Sequence, residues 1–131
     1  MITQTHAEVA AAVRSVIGTH TQAQDAGRTE EVAALYADEA VLEVPGGDPI
    51  VGRTAIREAF AGWAPTTPQK HLVGNTSISV DGDTVRAISD VVFFQRTDAG
   101  WTPLIVGRYD DAFALVDGAW QISRRSTTYQ M

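Results

Sequence analysis

The chain has 131 residues, enough for one domain built around one core. Hydrophobic residues make up 44% and charged residues 20%, the balance of an ordinary soluble globular protein, and the net charge of −6 argues against nucleic acid as a partner, since phosphate binding needs clustered Lys and Arg. There is no cysteine, which excludes disulfides, thiolate nucleophiles and Cys-ligated zinc.

No run of apolar residues approaches the length of a membrane span, and the first residues lack the basic start and apolar block of a signal peptide, so a cytoplasmic protein with no membrane partner is expected. His6 is expected in a frayed start. Residues from about Thr5 to Ala26 read as a helix, with Val9, Val13, Val16, Ile17, His20 and Gln24 on one face. The last two are polar, so the helix either turns toward a pocket at its C-terminal end or frays into water there. Gly27 is the expected stop. Thr29 is placed as the cap of a second helix, with Glu30 and Glu31 at its positive end and Val32, Leu35 and Tyr36 on its apolar side. Val41–Val44 reads as a short strand and Pro45–Pro49 as a loop. Thr54 is placed as the cap of a third helix running to about Trp63, with Ile56, Phe60 and Trp63 inward.

The second half is β-rich. Four runs, His71–Val80, Thr84–Arg96, Trp101–Leu115 and Trp120–Tyr129, are separated by Asp81-Gly82-Asp83, Asp98-Ala99-Gly100 and Asp117-Gly118-Ala119, each a short hairpin turn. The expected fold is α+β and a single domain over 1–131: three N-terminal helices packed on a strongly curved antiparallel sheet, forming a cone-shaped α+β barrel with a mouth. Long antiparallel strands must twist and bend, and a bent sheet over a long helix makes a natural small-molecule pocket.

His71 opens the first of these strands, and it can move protons near neutral pH. Counting outward from Gly82 pairs it with Phe93, and counting from the next turn pairs Phe93 with about Leu104. Asp25 stands at the end of the first helix, just ahead of the Gly27 stop, where an Asp is a turn residue or solvated unless it partners another element. Whether Asp25 and His71 meet separates an enzyme from a plain pocket. Along the third strand, Arg108 and Asp110 share one face and Gly107, Tyr109 and Asp111 the other; the bulges decide which looks inward, and Arg108 is carried as a candidate substrate contact. Of Arg124-Arg125, one side chain is expected to face solvent and the other inward or into a dimer contact. Trp101 and Trp120 follow turns and are expected to be structural. The histidines at 6, 20 and 71 have no metal-ligand spacing, and no phosphate-binding glycine loop is present, so neither a metal nor a cofactor is expected.

The phrases Asp25-Ala26-Gly27-Arg28, Ala34–Val41, Gly52–Arg57, His71–Asn75, Val80–Asp83, Gly107–Asp111 and Asp117–Trp120, in this order, resemble the SnoaL-like group of the nuclear-transport-factor-2-like superfamily. The resemblance spans nearly the whole chain and implies the cone-shaped fold. It also implies a pairing of Asp25 with His71, as in scytalone-dehydratase-like and bile-acid-dehydratase-like enzymes, with His71 and Asp25 as catalytic residues. The second histidine of the scytalone dehydratase pattern falls here on Phe94 or its neighbour, and two pocket tyrosines fall near Gln24 and Val44. His20, Gln24, Tyr36, Trp63, Phe94 and Arg108 are the substrate-binding candidates. The implied activity is a cofactor-independent lyase, isomerase or cyclase acting on a hydrophobic, polyketide- or terpenoid-like molecule. The alternative is a non-catalytic ligand-binding or dimerisation domain of the same fold, which the missing histidine and tyrosines favour. A homodimer through the outer sheet face is also implied.

Overall fold

A computed structural model describes residues 3–130. Helix α1 spans His6–Asp25. Thr5 caps it, accepting the Glu8 backbone N–H at 3.1 Å, so His6 opens an ordered helix rather than a frayed start. The helix ends as the glycine position predicts. Gly27 takes φ +72°, its N–H bonds to Gln24 O at 3.1 Å, and the Arg28 N–H reaches back to Ala23 O at 2.9 Å, a Schellman closure. Val9, Val13, Ile17 and His20 are buried, while Val16 and Gln24 on the same face are half-buried.

The second helix is shorter than expected. Helix α2 covers Thr29–Ala33, with Arg28 rather than Thr29 at the cap position. Tyr36 belongs to the first strand, β1 (Tyr36–Glu43), which begins well before Val41 because it pairs with the far end of the chain. A two-residue strand, β2 (Ile50–Val51), follows the Pro/Gly loop and pairs back onto β1. Helix α3 spans Arg53–Gly62 and starts from Gly52, whose φ of +93° replaces the side-chain cap expected from Thr54. Ile56 and Phe60 are buried, but Trp63 lies just past the helix and is 45% exposed.

The meander forms as the turns dictate: β3 (Gln69–Asp81), β4 (Thr84–Thr97), β5 (Gly100–Val116) and β6 (Ala119–Tyr129). The six strands run in the order β2-β1-β6-β5-β4-β3 and curl without closing. Every pair is antiparallel except β1–β6, which is parallel. The successive hairpin reversals return β6 alongside β1 in the same direction, so the sheet is not wholly antiparallel. Val9, Val13 and Ile17 of α1, Ile56 and Phe60 of α3, and Val85, Phe113, Trp120 and Ile122 of the sheet form the core. Trp120 is structural as expected, its indole N–H bonded to Gln4 at 2.8 Å, whereas Trp101 is 46% exposed. No helix of the described residues is long and apolar enough to cross a membrane.

Besides a register shift of β1 against β6 between Tyr36 and Val41, three bulges in the described part of the meander set which side chains reach the interior. One interrupts β3 against β4 between Gly74 and Ser77, where Asn75 takes φ 51°. The second makes Leu104 the extra residue between Ile105, opposite Phe93, and Pro103, opposite Phe94. The third makes Ser123 the extra residue between Ile122, opposite Phe113, and Arg124, opposite Ala112.

Candidate active site

A cavity of about 380 Å³ opens between α1, α3 and the concave face of the sheet. His71 stands in its wall, and Asp25 reaches His71 from the end of α1. His71 Nδ1 lies 2.6 Å from Asp25 Oδ1, and the His71 backbone N–H donates to Asp25 Oδ2 at 2.7 Å. An ionised carboxylate only accepts, so this contact puts the proton on Nδ1 and leaves Nε2 as the free ring nitrogen. Nε2 has no partner among the described residues. The two side chains are 13% and 14% exposed, shielded but within reach of a ligand. The register pairs His71 with Phe93 as expected, the bulge between Gly74 and Ser77 supplying the last one-residue shift from the Asp81–Thr84 turn pair, and the two rings lie 4.7 Å apart. The next pair differs from the count: the bulge at Leu104 puts Ile105, not Leu104, opposite Phe93.

The same alternation corrects two substrate-contact candidates. Phe93 lines the cavity, and Phe94, one residue on, belongs to the opposite face of the strand. Arg108 also faces outward, where its Nη2 bonds Asp90 at 3.2 Å with the side chain 48% exposed. The inward face of β5 carries Gly107, Tyr109 and Asp111 instead. Gly107 is required there, because a Cβ would meet Thr128 O at 2.8 Å.

Gln24, His20 and Trp63 do line the cavity. Trp63 sits at the mouth, edge-on to Phe60 at 5.3 Å, as an exposed ring rather than the inward core residue expected. Tyr36 does not reach the cavity. It is fully buried behind His20 and bonds His20 Nε2 through its hydroxyl at 2.7 Å. Burial, followed by the charge of Arg125, holds the His20 pKa well below the usual histidine value, so His20 is neutral. Burial likewise pushes the Tyr36 and Tyr109 hydroxyls above their usual range.

The largest surprise is the floor. Arg125 is 2% exposed, lines the cavity, and makes a two-pronged ion pair with fully buried Asp111 at 2.8 and 2.9 Å. Its guanidinium carbon lies 3.9 Å from the centre of the Tyr109 ring. Burial opposes the charge, but Asp111 overcomes it, and the Arg125 pKa is raised. Nε and Nη2 serve Asp111, while Nη1 has no partner among the described residues. Arg124 turns outward onto Glu43, so the adjacent arginines divide as strand alternation requires. Counting from the last turn would set Asp111 opposite Arg124; the Ser123 bulge makes it Arg125. The signal is present in the alternation, but not the bulge that assigns it. No group of three or more His, Cys, Asp or Glu among the described residues could hold a metal ion.

A family model described as a SnoaL-like domain matches residues 5–126. No curated protein matches the sequence. Among solved structures, a variant of Rv3472, a protein of unknown function from Mycobacterium tuberculosis, is 25% identical with a TM-score of 0.88, covering 95% of this chain and 78% of its own. A candidate scytalone dehydratase from Novosphingobium aromaticivorans is 22% identical with a TM-score of 0.86, over 99% of this chain and 89% of its own. A Catenulispora acidiphila protein in complex with S-DNPA is 22% identical with a TM-score of 0.86, over 95% of each chain.

Proposed function

The chain belongs to the SnoaL-like family, and from that premise we propose that it is a cofactor-independent lyase, isomerase or cyclase working on a hydrophobic, oxygenated small molecule of polyketide- or terpenoid-like character. The observation that carries this reading is the Asp25–His71 contact at 2.6 Å, with the second ring nitrogen left free in the wall of a largely apolar cavity.

In this reading His71 Nε2 accepts a proton from a carbon beside a carbonyl, or from a hydroxyl. Asp25 fixes the ring and stabilises the imidazolium that results. The negative charge left on the substrate oxygen gathers at the cavity floor, where Arg125 Nη1 is the available donor. Asp111 keeps that guanidinium charged and held still. His71 then returns the proton, to a second carbon in isomerisation, to a departing hydroxyl in dehydration, or to the new alkoxide after ring closure. Neutral His20 and Gln24 line the cavity as polar contacts, and Trp63 covers its mouth. The candidate scytalone dehydratase among the similar structures favours dehydration within this set, while Phe93 beside His71 removes the second histidine of that enzyme's pattern. A homodimer through the outer sheet face is part of the proposal. Leu72, Leu104 and Val106 leave exposed apolar surface on the distal parts of β3 and β5.

The test is a turnover and binding screen of hydrophobic oxygenated metabolites, followed by His71→Ala and Asp25→Asn. Both variants are expected to lose about 10²–10⁴-fold in kcat, the usual share of general acid–base catalysis. Full activity in both defeats the mechanism. Binding without turnover in the unaltered protein, for every ligand that binds, would instead make this a ligand-binding domain.

A further inference from the structure

The Asp25–His71 pair has a third member that the family resemblance does not supply. Asp25 is the last residue of α1, where the helix dipole is unfavourable to a carboxylate. Its stability there depends on donors brought by β3. The His71 backbone N–H and Nδ1 supply two. The third is Gln69, whose Nε2 donates to Asp25 Oδ1 at 3.1 Å, on the oxygen that also faces His71 Nδ1. Gln69 and His71 are two residues apart on one strand, so their side chains share a face. Gln69 is pinned by the ladder, pairing with Gln95. The amide orientation follows from chemistry, since only the NH₂ end can face an ionised carboxylate.

Position makes this contact matter. A second cavity, an outer groove of about 740 Å³ between α1 and β3, runs behind the pair. Gln69 and His71 line both cavities, and Asp25 lines the outer one. His71 already holds both carboxylate oxygens, so Gln69 adds a donor to Oδ1 rather than setting where the carboxylate points.

We propose that Gln69 tunes the Asp25–His71 pair: by donating to the oxygen that faces Nδ1, it tempers the pull of the Asp25 carboxylate on the ring proton. The proposal rests on the catalytic reading of the pair for its purpose, but not for its test, which needs no substrate. The other groups facing His71 are few. Asp25 and His20 come from α1, Phe93 from β4 is uncharged, and Tyr109 of β5 and Arg125 of β6 act through Asp25 and His20.

The experiment is an NMR titration of the His71 imidazole, read for midpoint and for the protonated nitrogen. Gln69→Met removes the donor while keeping the side-chain length. With one donor fewer, Asp25 stabilises the imidazolium more, and the His71 midpoint is expected to rise by roughly half to one pH unit. In an Asp25→Asn background the same substitution is expected to leave the midpoint in place, because the path runs through the Asp25 carboxylate. Gln69→Glu, which turns the donor into a second negative charge, is expected to raise the midpoint further and serves if the Met variant does not fold. No movement on Gln69→Met, a movement that persists undiminished in the Asp25→Asn background, or an unmoved midpoint in Gln69→Glu would each overturn the proposal. Failure of the catalytic reading is separable: if His71→Ala retains full turnover while Gln69→Met still raises the midpoint, that reading fails and the tuning role stands.

Discussion

Replacing Asp111 by Asn tests whether the floor of the cavity is held by a true buried ion pair. Asp111 is 0% and Arg125 2% exposed, and two hydrogen bonds of 2.8 and 2.9 Å join them. The substitution keeps the shape and removes the charge, leaving a guanidinium buried without a counterion. Breaking a buried pair from one side costs about 3–5 kcal/mol. Arg125 borders the cavity and lies over the Tyr109 ring, so cavity water and the ring offset part of the loss. The lower end, about 3 kcal/mol, is therefore expected. For a chain of this length that corresponds to a fall in Tm of roughly 12 °C, at about 4 °C per kcal/mol. The double replacement Asp111→Leu with Arg125→Met removes both charges and is expected to recover most of the stability, since apolar groups of similar size substitute well for a buried pair.

Urea unfolding of the parent, Asp111→Leu, Arg125→Met and the double closes the cycle. Coupling of about 3 kcal/mol is the expected result. Asp111→Asn within about 0.5 kcal/mol of the parent, or a double variant as poor as the two singles added, would refute the reasoning. The same double variant separates folding from function. It is expected to fold and yet lose about 10²-fold in turnover, because Nη1 is gone from the place where charge gathers.

The remaining predictions concern single positions. His20 is buried neutral with its pKa lowered, so the unfolded chain binds the extra proton and stability falls as pH drops below about 6.5, by at most about 1.4 kcal/mol per pH unit. His20→Gln is expected to flatten that slope between about pH 5 and 6.5 in urea midpoints; a parent curve already flat there would contradict it. Asp90 and Asp110 have lowered pKa values, Asp90 through Asn75 and Arg108 and Asp110 through Arg86, and these titrate only at still lower pH. Gly107→Ala drives a Cβ to 2.8 Å from a backbone oxygen that cannot yield, and is expected to cost about 1–3 kcal/mol in thermal unfolding. Arg108→Ala, on the outer face, is expected to leave turnover unchanged and cost under about 1 kcal/mol. A loss of ligand binding in that variant would return Arg108 to the site.

Much of this architecture is legible in the sequence because it is local. The Gly27 closure of α1 and the Asp/Gly turns follow from a few adjacent residues, whereas the His71–Phe93 register also needs the bulge between Gly74 and Ser77. The start of β1 is not legible in the same way, because Tyr36 is fixed by Ile122, which lies far along the chain. Helix propensity and strand pairing compete over Tyr36, and a distant ladder decides it. The parallel β1–β6 pair has the same origin, since no turn records it.

The site divides along that line. His71 opens a readable strand and Asp25 ends a helix with a readable stop, so the Asp25–His71 pair can be assembled on paper; Gln69 cannot, because the strand starts two residues before His71, ahead of the alternation that marks it. The charge-holding half cannot. A strand shifted by one residue presents its other face, so a single unplaced bulge exchanges every candidate beyond it. Leu104 changes the partner of Phe93, and Ser123 brings Arg125 rather than Arg124 against Asp111. Outward-facing Arg108 and inward Arg125 are equally basic in composition, and only strand parity and register tell them apart. The chemistry of the floor is thus a property of the irregularities of the sheet. A relative of equal length that keeps Asp25, His71 and both arginines but pairs Ser123's counterpart in the ladder, without the bulge, would place Arg124's counterpart opposite Asp111, and would need a different donor at the floor of its cavity.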